Sequence, residues 1–239
     1  MPLKQKQFKV ASWGATLQGQ LWLPDTPGKY PAVVYFHGLG ANNPAIFLTE
    51  GPLKPVAADG WKAPYVIFGI AGQSSYPPDP GLMKYALEND PEIKQYWDGV
   101  NVLWTGLSQG GFSTLLCASE GYTGAFVPMS SPAFNPNLLD GNKTYRAWAF
   151  HADNDGICPL QNVKPAYDKM KAKFTLTHDG HSNWNKYYDP NYKEDGKNLY
   201  EFAFDTSAVT PTKKVVLTYI LNNGKKLVVY DNDSYEEIV

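Results

Sequence analysis

The sequence predicts an α/β fold, with a mostly parallel central sheet, helices on both faces and a C-terminal β-hairpin extension. Three observations carry this. Apolar runs of strand length alternate with helix-length stretches over residues 32–177, the pattern of parallel strands joined by crossover helices. One of those runs, Val102-Leu103-Trp104, leads into Gly106-Leu107-Ser108-Gln109-Gly110 and then into the helix-like Phe112-Ser113-Thr114-Leu115-Leu116-Cys117-Ala118. Beyond the linker-like Ser207-Ala208-Val209-Thr210-Pro211-Thr212, two β-rich runs flank Asn222-Asn223-Gly224-Lys225, a strong hairpin signal. Residues 1–205 therefore read as one domain without a lid domain, and 206–239 as a linker and hairpin.

The elements follow in order. Residues 8–13 and 16–23 read as antiparallel edge strands joined near Gly14. Ala32-Val33-Val34-Tyr35-Phe36, ending in His37-Gly38, is a buried strand. Residues 47–59 suit a helix interrupted by Pro52 and Pro55. Residues 65–68 form the next strand, 73–80 a loop dense in Pro and Ser, and 82–96 a helix. Residues 126–129 and 146–150 are strands. Residues 163–173 suit a helix whose Pro165 is tolerated in the first turn, and 174–177 is the last strand of the sheet. The hairpin strands are 215–221 and 227–230. A two-stranded hairpin alone is marginal in water, so it should dock on the main domain, extend its sheet edge or pair with another chain.

Composition narrows the function classes. With 239 residues, 43% hydrophobic and 18% charged, the chain can bury one substantial core. A net charge of −2 gives no electrostatic reason to expect nucleic acid or an anionic membrane as partner. No run is apolar and long enough to span a bilayer, and Met1-Pro2-Leu3-Lys4-Gln5-Lys6-Gln7 lacks the apolar core of a signal peptide. The default expectation is cytoplasmic, or secreted if a leader was removed. Cys117 and Cys158 read as two free, buried thiols. Asp153-Asn154-Asp155-Gly156 and Asp231-Asn232-Asp233 hold fragments of a calcium loop without its remaining ligands, so neither a metal nor another cofactor is expected.

The chemistry centres on Ser108. A serine hydroxyl is a poor nucleophile, and its surroundings must supply geometry and activation. Gly-x-Ser-x-Gly between a strand and a helix supplies the geometry: a sharp turn leaves the hydroxyl exposed at the top of the sheet. Flanking glycines are needed because a Cβ there would strike neighbouring elements. The backbone N–H of Gln109, next after the serine, is then a natural donor to an oxyanion. Hydrolases with such a serine place an Asp or Glu and then a His on loops after later strands. The loop His151-Ala152-Asp153-Asn154-Asp155-Gly156-Ile157-Cys158-Pro159 offers two acids, and His178-Asp179-Gly180-His181-Ser182-Asn183-Trp184 offers two histidines. Loops at the carboxyl ends of parallel strands converge on one rim. His37 and His151, at strand ends, read as structural.

These residues resemble α/β-hydrolase esterases related to polyhydroxybutyrate depolymerases and to feruloyl and acetylxylan esterases, some of them labelled as peptidases. The resemblance spans Tyr30 to about Phe204. It rests on Tyr30-Pro31-Ala32-Val33-Val34-Tyr35-Phe36-His37-Gly38, Leu103-Trp104-Thr105-Gly106-Leu107-Ser108-Gln109-Gly110-Gly111, the run from Trp148 to Pro159, and Gly180-His181-Ser182-Asn183-Trp184. It implies Ser108 as nucleophile, Asp155 as acid and His181 as base. Similarity to His-Gly-x-x-Asp-x-x-Val-Pro selects Asp155 over Asp153, with Ala152 and Cys158 standing where the family has Gly and Val. The Gly-His-x-x-Trp context selects His181 over His178. The resemblance also makes the N–H of Leu39 the second oxyanion donor.

For the substrate, Trp184, Tyr76 and Tyr188 are the candidate lining residues, since aromatic rings near such a site can stack on a sugar or phenolic ring. Trp97, Tyr187 and Tyr192 belong to the same aromatic set. Residues 130–145 are too few for a lid domain, which suggests an open cleft. The expectation is a serine carboxylester hydrolase acting through an acyl-enzyme. Its substrate would be a small-molecule or polysaccharide-borne ester with a short acyl or hydroxycinnamoyl group. Self-association would run through the C-terminal hairpin. The competing readings are a serine peptidase of the same fold and a non-catalytic hydrolase-fold binding or structural protein.

Overall fold

Alternation of apolar side chains along the central strands puts a hydrophobic layer on each face of one eight-stranded sheet. The computed structural model describes residues 3–10, 15–72, 78–182 and 184–205, together with three strands further on. By contact density the chain divides into two compact units, Met1–Phe204 and Asp205–Val239. In the first, the strands are β1 (Lys4–Val10), β2 (Ala15–Trp22), β3 (Tyr30–Phe36), β4 (Val66–Ile70), β5 (Trp97–Leu107), β6 (Ala125–Met129), β7 (Arg146–Ala152) and β8 (Lys173–Thr177). Their order across the sheet is β1-β2-β4-β3-β5-β6-β7-β8. β1 and β2 pair antiparallel, β2 runs antiparallel to β4, and every pair from β4 to β8 is parallel.

Along β3, Val33 and Tyr35 face one layer while Val34 and Phe36 face the other, all four fully buried. This period of two is what a strand covered on both sides requires. The Val34/Phe36 layer meets the apolar faces of α2 (Pro80–Asn89), α3 (Pro91–Tyr96), α4 (Gln109–Ser119) and α5 (Lys164–Lys169). The Val33/Tyr35 layer is covered by α1 (Lys54–Ala58), α6 (Trp184–Tyr188), α7 (Leu199–Phe204) and two short 3-10 turns at Pro44–Leu48 and Gly51–Leu53. Aromatic rings dominate that second layer: Tyr65 stacks on Tyr200 at 5.5 Å and Trp148 on Phe150 at 4.9 Å.

The helices depart from the sequence reading at prolines and caps. The helix expected over 82–96 is two, because Pro91 cannot continue a helix and Asp90 caps a new one, its Oδ1 accepting from the N–H groups of Glu92 and Ile93. In place of one helix over 47–59 the chain forms two 3-10 turns and α1 between Pro44 and Ala58, with Pro44, Pro52 and Pro55 each at the first or second position of a segment. The helix expected over 163–173 ends at Lys169; Lys171 adopts φ 53°, and Lys173 already belongs to β8. Short helices α6 and α7 had no periodic signal in five and six residues. The expected joint near Gly14 and most of the 73–80 loop lie outside the described residues.

The second unit contains β9 (Val215–Ile220), β10 (Lys226–Tyr230) and β11 (Tyr235–Ile238) as an antiparallel sheet of order β11-β10-β9. The hairpin strands pair in the register Leu227 opposite Tyr219, and their turn lies outside the described residues. A third strand completes this sheet, so β10 is flanked on both sides. Its sequence, Tyr235-Glu236-Glu237-Ile238, lacks the alternating apolar pattern that would have marked it.

Candidate functional site

The turn from β5 into α4 is tight enough to dictate its residues. A Cβ on Gly106 would lie 2.5 Å from the Phe36 carbonyl oxygen, and one on Gly110 only 2.0 Å from the same atom. Gly111 is equally confined, 2.7 Å from the Met129 oxygen. Ser108 itself carries the unusual conformation, φ 53° and ψ −120°, a strained state for a residue with a side chain. It is held by its own N–H donating to the Met129 carbonyl at 2.9 Å and by the Phe112 N–H donating to its carbonyl at 3.1 Å. The hydroxyl is thereby set at the carboxyl edge of the sheet.

Two loops from neighbouring strands meet it there. The Ser108 hydroxyl lies 3.0 Å from His181 Nε2, and His181 Nδ1–H donates to Asp155 Oδ2 at 2.7 Å. A carboxylate at Nδ1 puts the ring proton on that nitrogen and leaves the Nε2 lone pair facing Ser108. Asp155 is buried, and its other oxygen, Oδ1, accepts from the N–H groups of Ile157 (3.0 Å) and Cys158 (2.8 Å). Burial pushes this carboxyl up, but the His181 bond and the two backbone donors outweigh it and hold it below the usual aspartate value.

The rivals occupy other places. Asp153 is bonded to His178 at 2.6 Å, an exposed pair set apart from Ser108. Between the two acids, the Asn154 side chain accepts from Gly180 N–H (2.8 Å) and donates to the His178 carbonyl (3.2 Å), tying the acid loop to the histidine loop. His151 is buried, its Nε2–H donating to the Cys158 carbonyl at 2.7 Å and its Nδ1 accepting from the Tyr167 hydroxyl at 3.2 Å. Burial lowers its basicity, as it does for His37, whose Nδ1–H donates to the Gly38 carbonyl. Burial and then the Asp155 charge push the Cys158 thiol up to about 11. It stays protonated at neutral pH and does not compete as a nucleophile.

A cavity of about 370 Å³ opens over Ser108, lined on one side by Gly38, Leu39, Gly40 and Ala41 from the loop after β3. Leu107, Ile157, His181, Trp184, Ile46 and Glu50 line the rest. Leu39 is well exposed at its rim. Gln109 opens α4, where first-turn N–H groups have no partner within the helix, and its side-chain oxygen is buried. Trp184 stands edge-on to His181, ring centroids 5.1 Å apart, and its Nε1–H donates to Ser130 Oγ at 3.0 Å.

Of the other aromatic candidates, Tyr188 does not line the cavity. Its ring is fully buried edge-on to Tyr35, and its hydroxyl bonds Thr105 Oγ at 2.8 Å. Its ring finds a buried aromatic partner in Tyr35 and its hydroxyl a buried one in Thr105, so the side chain is satisfied inside the core. Tyr187 packs on Phe150 beside it, and Tyr76 lies outside the described residues. Three residues with no sequence signal complete the surroundings: Glu50, Ile157 and the bridging Asn154. No helix among the described residues is long and apolar enough to cross a membrane.

No protein-family model and no curated protein matches the sequence. Solved structures do match in shape. A thermostable esterase superposes with TM-score 0.58 at 20% identity, over 78% of this chain and 60% of its own. The esterase domain of a Rhodothermus marinus protein gives TM-score 0.53 at 14% identity, over 76% of this chain and 90% of its own. A Pyrococcus horikoshii acylaminoacyl peptidase gives 0.54 at 15% identity, over 74% of this chain and 37% of its own. The chain thus spans less than two thirds of the first and little more than a third of the last of these. With its strand order, antiparallel first strands and helices on both faces, the first unit has the α/β-hydrolase fold.

Proposed function

We propose that the chain is a serine hydrolase that cleaves carboxylic esters of compact acyl groups through an acyl-enzyme. The observation that supports it most is the unbroken relay Asp155–His181–Ser108, with hydrogen bonds of 2.7 and 3.0 Å, ending in a serine held in a strained turn. In this mechanism Ser108 Oγ attacks the ester carbonyl carbon while its proton passes to His181 Nε2. The resulting oxyanion takes hydrogen bonds from the backbone N–H groups of Gln109 and Leu39. His181 returns the proton to the departing alkoxide, leaving an acyl group on Ser108. Water, deprotonated by the same imidazole, then releases the acid, and Asp155 remains ionised throughout to stabilise the imidazolium.

The cavity above Ser108 supports a short acyl chain, being mostly apolar and about 370 Å³. A carbohydrate alcohol, expected from the aromatic residues, has Trp184 as its lining ring among the described candidates, and the proposal leaves it aside. A peptidase reading draws support from the acylaminoacyl peptidase likeness alone. Labelling by a fluorophosphonate probe tests the serine: wild-type protein should label and hydrolyse p-nitrophenyl acetate, and Ser108→Ala should do neither. An unlabelled, inactive wild type overturns the proposal. Faster release of p-nitroaniline from N-acetylalanine p-nitroanilide than of p-nitrophenol from the acetate ester would favour the peptidase.

Asn154 offers a test of how the relay is held. Asn154→Ala removes both ties between the acid and histidine loops, and a misplacement of about 1 Å can cost on the order of 10²-fold in rate. The expected result is a 10- to 100-fold fall in kcat, roughly, with fluorophosphonate labelling slowed but retained. Full activity would show that the loops hold their positions without it.

A further inference from the structure

Glu50 is the unexplained group in the cavity. Of the described residues lining the space above Ser108, it is the only carboxylate, and no Lys or Arg is among them. The rest, apart from Ser108 and His181, are apolar or glycine, so the carboxylate faces a low-dielectric surface. Its only described partner is the Tyr35 hydroxyl, which donates to Oε1 at 2.9 Å. Burial raises this carboxyl above the usual glutamate value, and the Tyr35 bond offsets only part of that.

The backbone around it is built to hold it there. Asn185 brackets the segment, its Nδ2 donating to the Thr49 carbonyl and its Oδ1 accepting from the Gly51 N–H, both at 3.0 Å. Gly51 adopts φ +76°, and any Cβ on it would sit 2.5 Å from the Tyr35 ring. Tyr35 is in turn fixed edge-on between Phe47 and Tyr188, at 5.8 and 5.6 Å. A charge kept in a half-buried place without an ion partner is costly, and an incoming cation would remove that cost.

We propose that Glu50 anchors a cation subsite, so that the preferred substrate is an ester bearing an ammonium group, held by Glu50 while the carbonyl lies at Ser108. The proposal rests on the ester-hydrolase reading above for its reaction, and on Glu50 alone for its selectivity. A carboxylate that merely accepted the Tyr35 hydrogen bond would be replaceable by an amide, which keeps the acceptor and loses the charge.

Acetylthiocholine and 3,3-dimethylbutyl thioacetate share an acetyl group and nearly the same bulk and differ in charge, and the thiol each releases is read with a disulfide reagent. In the wild type kcat/KM should favour the cation by about tenfold or more, the scale on which one close charge pair discriminates. The preference should fall to about one in Glu50→Gln. A wild-type ratio near one, or a preference that survives in Glu50→Gln, overturns the proposal. Binding of choline and of 3,3-dimethylbutanol to Ser108→Ala, followed by NMR, reads the subsite without turnover. Choline binding that weakens on adding Glu50→Gln supports the subsite even in a wild type inert to both thioesters, a result that would count against the hydrolase reading instead. Equal binding of the two alcohols overturns the subsite.

Discussion

Asp155→Asn should lower kcat by about four orders of magnitude, the loss this change causes in a serine protease relay, while the chain stays folded. The two oxygens of Asp155 do different work. Oδ1 takes the N–H groups of Ile157 and Cys158, and Oδ2 takes the proton on His181 Nδ1. An asparagine must keep its oxygen toward the two backbone donors, which turns its NH2 against His181. The imidazole then moves its proton to Nε2 to accept from that NH2, and the nitrogen facing Ser108 can no longer take a proton. Steady-state hydrolysis of p-nitrophenyl acetate, with circular dichroism to show the fold intact, checks this. Activity within tenfold of wild type would remove Asp155 from the relay.

The same substitution makes a statement about pH. The native Asp155 carboxyl is held below its ordinary value despite burial, through His181 and the loop N–H groups. The unfolded chain therefore binds the proton more readily, and the ionised form adds stability at any pH above about 3.9, the ordinary aspartate value. That contribution is lost as pH falls through the lower native value. In urea unfolding, the stability gap between wild type and Asp155→Asn should be widest near neutrality and close in the acid range below about 3.9. A gap that widens on acidification would contradict the assigned shift.

How far the site could be read beforehand depended on how local its causes are. The turn at Ser108 is set by residues within two positions of it, and Gly106 and Gly110 announce the close approach of Phe36 that the structure contains. Buried strands such as β3 and β6 are continuous apolar runs and declare themselves. Helices are less legible, because Pro91 and the prolines between 44 and 55 divide segments whose composition reads as one helix. Tyr188 neighbours His181 in sequence, but its partners are Thr105 and Tyr35, distant residues that proximity to the histidine does not reveal. Glu50 and Asn154 carry no local signal at all. Their meaning comes from Tyr35 and the Asn185 bracket of Thr49 and Gly51 in one case, and from Gly180 and His178 in the other, through hydrogen bonds that span 15 to 136 residues.

Gly110→Ala should destabilise the first unit by about 3 kcal/mol or more, the upper range for overpacking, because nothing near the new methyl can yield. The atoms in its way are the Phe36 carbonyl oxygen at 2.0 Å, the Phe36 carbonyl carbon at 2.6 Å and the His37 oxygen at 2.8 Å, all backbone. β3 cannot withdraw, since it is paired with β4 on one side and β5 on the other. The strain must move α4, and with it Ser108 and the Gln109 N–H. Molecules that still fold should therefore label poorly with a fluorophosphonate, so stability and labelling fall together. Gly156→Ala is the matched comparison: its Cβ would meet nothing within 4 Å, and its effect on the urea midpoint should stay within about 0.5 kcal/mol. If Gly110→Ala proved equally mild, the spacing between β3 and α4 would have to be softer than its hydrogen bonds imply. The comparison also separates two demands that the Gly-x-Ser-x-Gly pattern confounds. Gly106 and Gly110 are not at positive φ, so they are required for room; the left-handed conformation falls on Ser108.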